Sequence, residues 1–159
     1  MKIRLLTIGK IKEEYFRLAL EEYTKRLTPF CQVEIIELPE AKLKENPSLS
    51  EIEKGLEIEG QNILSKVKES DFLVVLDLNQ LEMTSEEFAV ALPKYFVRGG
   101  ASISFVIGSS YGLSSAVKKR ANEKVTLSRM TFTHQMARLI LLEQIYRAFK
   151  INSGGKYHK

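Results

Sequence analysis

Ile103-Ser104-Phe105-Val106-Ile107-Gly108-Ser109-Ser110-Tyr111-Gly112 is the stretch that decides the fold. It is a short, mostly apolar run that stops at a glycine, and a helical pattern over Leu113–Ala121 follows it. Such a run reads as a strand buried on both faces, the habit of parallel sheets. Phe72–Leu76 reads the same way. Ile3–Ile8, ending at Gly9, is a first strand, Val33–Leu38 a second, and Lys124–Leu127 a short last one. Helical patterns lie between them. Lys12–Leu27 places Phe16, Leu20, Tyr23 and Leu27 on one stripe and ends before Pro29. Ser50-x-x-Glu53 reads as a capping box for a helix lined by Ile52, Leu56, Ile63 and Val67. Thr84-x-x-Glu87 opens another, through Tyr95, with Pro93 inside it. Glu40–Pro47 reads as a loop and Arg98-Gly99-Gly100 as a turn. Gln135–Phe149 is a long final helix, followed by an irregular basic tail. Strict strand–helix alternation predicts an α/β fold, a mainly parallel sheet with helices on both faces. Ligands of such sheets sit beyond the carboxyl ends of the strands. Those ends are Leu76-Asp77, Gly108-Ser109 and Leu127-Ser128.

The chain has 159 residues, enough for one domain with a core that needs no staples. Cys31 is the only cysteine, which excludes an intrachain disulfide framework and a Cys/His zinc cluster, and no metal is expected. No apolar stretch approaches the ~18 residues of a membrane span, and Met1–Leu6 lacks the pattern of a signal peptide. A soluble, cytoplasmic protein is expected. The net charge of +4 conceals an uneven distribution. Residues 111–159 carry 10 basic and 2 acidic groups, whereas residues 1–110 are net acidic. Such asymmetry suits an anionic partner, nucleic acid first, and equally a solvated basic face.

Three segments could carry chemistry, each with a plainer reading beside it. Gly108–Gly112 lacks the spacing of a dinucleotide-binding or phosphate loop, and reads either as a strand-to-helix turn or as a close-approach binding loop. Leu127–His134 is too apolar for a surface loop. It either wraps a ligand ring or is a buried connection with Met130 and Phe132 in the core. There Thr133 caps the last helix, and His134 sits in its first turn with depressed basicity, a structural role. The tail Gly154-Gly155-Lys156-Tyr157-His158-Lys159 holds an aromatic ring, two lysines and a histidine. It is either a nucleic-acid contact or a frayed terminus. The last helix is apolar on nearly every side, as befits a core helix or one between subunits. Asp71 and Asp77 bracket a strand and read as turn and edge chemistry rather than a catalytic pair.

Taken in order, these segments resemble a known family. Leu76-Asp77, Thr84 to Ala89, Phe105 to Gly108 with Gly112-Leu113, Leu127-Ser128-x-Met130-Thr131, His134 to Arg138, Glu143 to Ala148 and Tyr157-His158-Lys159 are similar to the small SPOUT-class family of ribosomal RNA large subunit methyltransferase H. The resemblance spans the whole chain. It implies one domain over 1–159, with a C-terminal trefoil knot at about 70–159, against the general rule that chains are unknotted. It implies a homodimer that transfers a methyl group from S-adenosyl-L-methionine to N3 of a pseudouridine in a 23S rRNA stem-loop of the assembled ribosome. By motif, the cofactor site comprises Leu76, Gly108, Leu127, Ser128, Arg129, Met130, Thr131 and Phe132. Tyr157, His158 and Arg138 are the catalytic candidates, with His158 or a water held by it and Tyr157 accepting the proton. Arg138 or Arg129 would steady charge on the uracil oxygens, and Lys150, Lys156 and Lys159 would meet RNA. Ser109, Gln80-Leu81, Thr133 and Lys156 depart from the family pattern, and Ser109 bears on cofactor affinity. The rival readings are a non-catalytic ribosome-associated RNA-binding protein and a nucleotide-binding enzyme of flavodoxin-like topology.

Overall fold

Five segments form one sheet in the computed structural model, which describes residues 1–159. They are β1 (Lys2–Ile8), β2 (Gln32–Leu38), β3 (Phe72–Glu82), β4 (Ser102–Ile107) and β5 (Glu123–Thr126), in spatial order β2-β1-β4-β3-β5. Every strand pairing is parallel. The decisive stretch, β4, lies at the centre between β1 and β3. Its residues alternate between faces: Ile103, Phe105 and Ile107 join one apolar cluster, and Val106 joins the other. Phe105 is fully buried, and cutting it to alanine would cost about 3–5 kcal/mol.

Helices cover both faces, as expected. The larger cluster takes residues from α1 (Glu14–Leu27), α3 (Ser85–Arg98) and α5 (His134–Asn152). The smaller takes Ile63 from α2 (Leu49–Lys66) and Val117 from α4 (Ser115–Arg120). Helix α5 packs against both α1 and α3, and Phe149 stacks on Phe30 at 5.2 Å. Most of its all-round apolar character is thereby core packing within this chain.

Several boundaries move from those expected. The capping box of α2 is Ser48 with Glu51, not Ser50 with Glu53. Both pairs have the right spacing, but the earlier one also lets Lys44 pair with Glu51 at 3.1 Å. Helix α4 starts later than expected, because Ser114 caps it by accepting from Val117 N–H. Strand β3 runs on to Glu82 through a register shift between Leu76 and Leu81, with Asn79 at φ 56°. Thr126 holds this irregular end: its hydroxyl donates to Asp77 O and accepts from Gln80 N–H, both at 2.7 Å. Helix α3 runs through Pro93 to Arg98 rather than stopping at Tyr95. Proline has no N–H for the carbonyl of Ala89. The side chain of Asn152, at the end of α5, donates to that carbonyl at 2.8 Å instead.

Candidate functional site

Three strand ends surround a cavity of about 630 Å³ at the carboxyl edge of the sheet. Leu76 and Asp77 come from β3, Gly108 to Gly112 follow β4, and Leu127, Ser128, Met130, Thr131 and Phe132 follow β5. The volume falls in the range of small-molecule sites. The β4–α4 loop is tight: Gly112 N–H donates to Ser109 O at 2.9 Å, and Gly112 sits at φ +94°. A Cβ on Gly108 would lie 2.3 Å from Gly112 O, so only glycine fits there. The glycine is therefore required by the loop's own tight strand-to-helix turn, and that turn lines the cavity.

Within Leu127–His134, Leu127 packs against the core, but Met130 and Phe132 do not enter it. Met130 is 74% exposed and Phe132 38%, and both line the cavity. The alternative of a buried connection is therefore corrected. The loop swings outward because its backbone is tied locally, with Met130 N–H donating to Ser128 Oγ at 3.1 Å and Thr133 capping α5. Arg129 is exposed in the same loop, and its side chain does not line the cavity. Apolar walls of Leu76, Leu127 and Phe132 beside open polar backbone suit a flat heteroaromatic ring on a polar chain. Asp77 pairs with Lys118 at 2.9 Å on the rim, in keeping with its edge role.

Arg138 is fully buried, and this corrects its assignment to the developing charge on a substrate. Its guanidinium is taken up by this chain: Nη1 donates to Glu37 Oε1 at 2.8 Å, and Nη2 to Gly9 O at 2.6 Å and to His134 Nδ1 at 2.8 Å. It binds α5 to the carboxyl ends of β1 and β2. Arginine only donates, so Nδ1 of His134 accepts and the imidazole proton rests on Nε2. Burial, then the Arg138 charge, lowers the basicity of His134. The direction matches expectation, but the cause is burial rather than the helix end. His134 also lines the cavity.

The tail lies elsewhere on the same chain. Tyr157 donates to Glu143 Oε1 at 3.1 Å, and its ring meets Tyr146 at 5.0 Å and Arg147 at 4.8 Å. His158 places Nδ1 3.2 Å from Arg147 Nη1 and Nε2 2.8 Å from Glu86 Oε1. Burial, with Tyr23 and Glu143, pushes the Tyr157 phenol far up, so it is a donor and not a base. Glu143, Tyr146 and Arg147 sit on the middle of α5, roughly 9–15 Å along the helix from Ala137 in the cavity wall, and Glu86 sits on α3. Within one chain, Tyr157 and His158 are not brought to the cleft. Lys156 and Lys159 are exposed beside them, and Lys150 is half-buried.

Sequence reasoning passed over Glu59. It is 5% exposed on α2, and its Oε2 accepts from the Ser109 hydroxyl at 2.9 Å. Its signal was present: Glu59 falls on the helical stripe between Leu56 and Ile63, a carboxylate on an apolar face. Ser109 turns its hydroxyl to Glu59 while lining the cavity.

A parallel sheet with its ligand cavity formed by the loops after β3, β4 and β5 defines the class. A family model described as a predicted SPOUT methyltransferase matches residues 1–158, and the methyl donor of that class is S-adenosylmethionine. The chain is 48% identical over 159 residues to ribosomal RNA large subunit methyltransferase H of Clostridium beijerinckii and of Streptococcus pneumoniae, covering all of each chain. It belongs to the SPOUT methyltransferase family, among the ribosomal RNA large subunit methyltransferase H proteins. Among solved structures, a probable methylase family protein from Haemophilus influenzae shares the fold, with TM-score 0.56 at 13% identity over 99% of this chain and 70% of that one. No helix is long and apolar enough to cross a membrane.

Proposed function

We propose that the chain methylates large-subunit ribosomal RNA at N3 of a pseudouridine in a 23S stem-loop, as a homodimer acting on the assembled ribosome. The observation that carries this reading is the cavity at the ends of β3, β4 and β5, floored by the tight turn from Gly108 to Gly112 and walled by Leu127, Ser128, Met130, Thr131 and Phe132. The names of the full-length relatives support the ribosomal substrate. The deep trefoil knot and the single domain over 1–159 belong to the same reading.

S-adenosylmethionine, when bound, supplies an electrophilic methyl group on a sulfonium that leaves as a neutral thioether. The chain has to orient the two reactants in line and remove one proton. The N3–H bond breaks as the N3–CH3 bond forms, and the proton passes to His158 or to a water held by His158 and Tyr157. In a single chain both ring nitrogens of His158 are occupied, Nδ1 by Arg147 and Nε2 by Glu86. The base role therefore requires the tail to leave Glu86 and enter the cleft of a partner subunit. Arg129, exposed on the cavity loop, is the remaining candidate to steady charge on the uracil oxygens. Lys150, Lys156 and Lys159 meet the RNA backbone.

His158→Ala is expected to bind S-adenosylmethionine as the parent chain does while methylating ribosomes 10²–10⁴-fold more slowly, about what a lost general base costs. Turnover equal to the parent would remove His158 from the chemistry. A chain that bound ribosomal RNA but gave no heat with S-adenosylmethionine in calorimetry would instead be the non-catalytic RNA-binding protein.

A further inference from the structure

Helix α2 touches the β4–α4 loop, part of which lines the cleft, through two successive residues. Glu59 is buried, and its two oxygens are met by neutral donors. Oε1 accepts from Ala41 N–H and Oε2 from the Ser109 hydroxyl, both at 2.9 Å. A carboxylate is costly to bury, so its place on this face reflects what it links. Gly60, the next residue, abuts Ser114, the cap of α4; a Cβ there would lie 2.2 Å from Ser114 Oγ. The two residues together meet both ends of the loop that runs from Ser109 to Ser114. On the other side, Ala41 belongs to the segment between β2 and α2. That segment packs on α2 through Leu43, which a Cβ on Gly55 would meet at 3.3 Å.

We propose that Glu59 is a positioning residue for the cofactor: through Ser109 it holds the β4–α4 loop in its receiving form, and through Ala41 it links that loop to the segment before α2. The inference rests on the cleft being the S-adenosylmethionine site. Glu59 touches no substrate; it acts through the Ser109 hydroxyl and the Ala41 amide. The link needs hydrogen bonds and not charge. A glutamine at this position keeps both, since its Oε1 accepts from Ala41 N–H and its amide N–H donates to Ser109 Oγ.

The test is calorimetry of the full chain with S-adenosylmethionine, with amide exchange at Ala41 followed in parallel. Glu59→Ala is expected to weaken binding about tenfold, the worth of roughly one hydrogen bond, and Glu59→Gln to stay within about twofold of the parent. In the parent and in Glu59→Gln, cofactor slows exchange at Ala41 N–H. In Ser109→Ala it does not, which separates a lost link from a lost cleft contact. The double variant Glu59→Ala with Ser109→Ala is expected to bind no more weakly than Glu59→Ala alone. If Glu59→Ala does not fold, Glu59→Gln and Ser109→Ala carry the test. Parent-like affinity in Glu59→Ala with a lowered melting temperature overturns the proposal, leaving a structural role only. So does a Glu59→Gln as weak as Glu59→Ala, or an Ala41 amide indifferent to cofactor in the parent. A parent chain that gives no heat with S-adenosylmethionine overturns the cofactor reading itself.

Discussion

His134 and Arg138 stand one turn apart on α5, and each determines the state of the other. Arg138 holds His134 as a neutral imidazole, with its proton on Nε2 at the cavity wall. His134 therefore has a folded-state basicity below its ordinary value of 6.5, first because it is buried and then because of the Arg138 charge. The unfolded chain takes up a proton there first as pH falls, so stability is complete above about 6.5 and declines below it. Thermal melts from pH 8 to 5 are expected to show this decline, and His134→Gln to flatten it. Arg138→Ala would remove the charged donor from Glu37, which keeps only the Ile11 N–H, and the donor from the Gly9 carbonyl, and cost about 2–4 kcal/mol in urea unfolding. Cys31 belongs to this scale as well. Burial pushes its thiol up to about 11, so thiol reagents at pH 8 are expected to modify it only as fast as the chain opens.

Among the elements, α3 is the one whose continuity depends on another helix. A proline inside a helix costs about 3 kcal/mol or more, part of it for the orphaned carbonyl four residues back. Here Asn152 of α5 supplies the missing donor to Ala89 O. Asn152→Ala is expected to lower stability by about 1 kcal/mol, measured by urea unfolding. In a Pro93→Ala background the backbone N–H returns, and the same substitution is expected to cost nearly nothing. The double-mutant cycle isolates that one bond. The helix pattern itself was legible from Thr84 onward, because a capping box and a 3.6-residue stripe are local signals. Its passage through Pro93 was not, because the compensating donor lies 63 residues away. The start of α2 shows a related limit. Two serine–glutamate pairs had capping spacing, and a contact with Lys44 outside the helix accompanies the one used.

At the scale of the whole molecule, charge and assembly meet. Residues 111–159 carry 10 of the 24 basic groups against only 2 acidic ones, and they also supply both the cavity loop after β5 and the tail. If this third binds RNA through phosphates, affinity must fall steeply and log-linearly with salt. A triple Lys150, Lys156 and Lys159 to alanine variant is expected to lower the magnitude of that slope by about 2–3, read by binding titrations at several salt concentrations. The tail lies on α5 and α3 of its own chain and away from the cavity, and the proposed chemistry has it reach the cleft of a second subunit. Sedimentation at micromolar concentration is expected to give a dimer, and a monomer that is fully active would exclude a shared site.

Residue order by itself determined the alternation of strands and helices, the parallel sheet and the three strand ends that line the cavity. Those features rest on short-range physics: side-chain period, capping, and glycine where the backbone must turn or be approached. Tertiary structure alone decided that Arg138 is an internal tie, that Met130 and Phe132 face the cavity, that Glu59 reaches Ser109, and that the tail docks on α5. The Arg138–Glu37 pair spans 101 residues and the Ser109–Glu59 bond 50. A polar side chain takes whichever partner the packed elements bring to it. No local pattern records which of several donors or acceptors that will be.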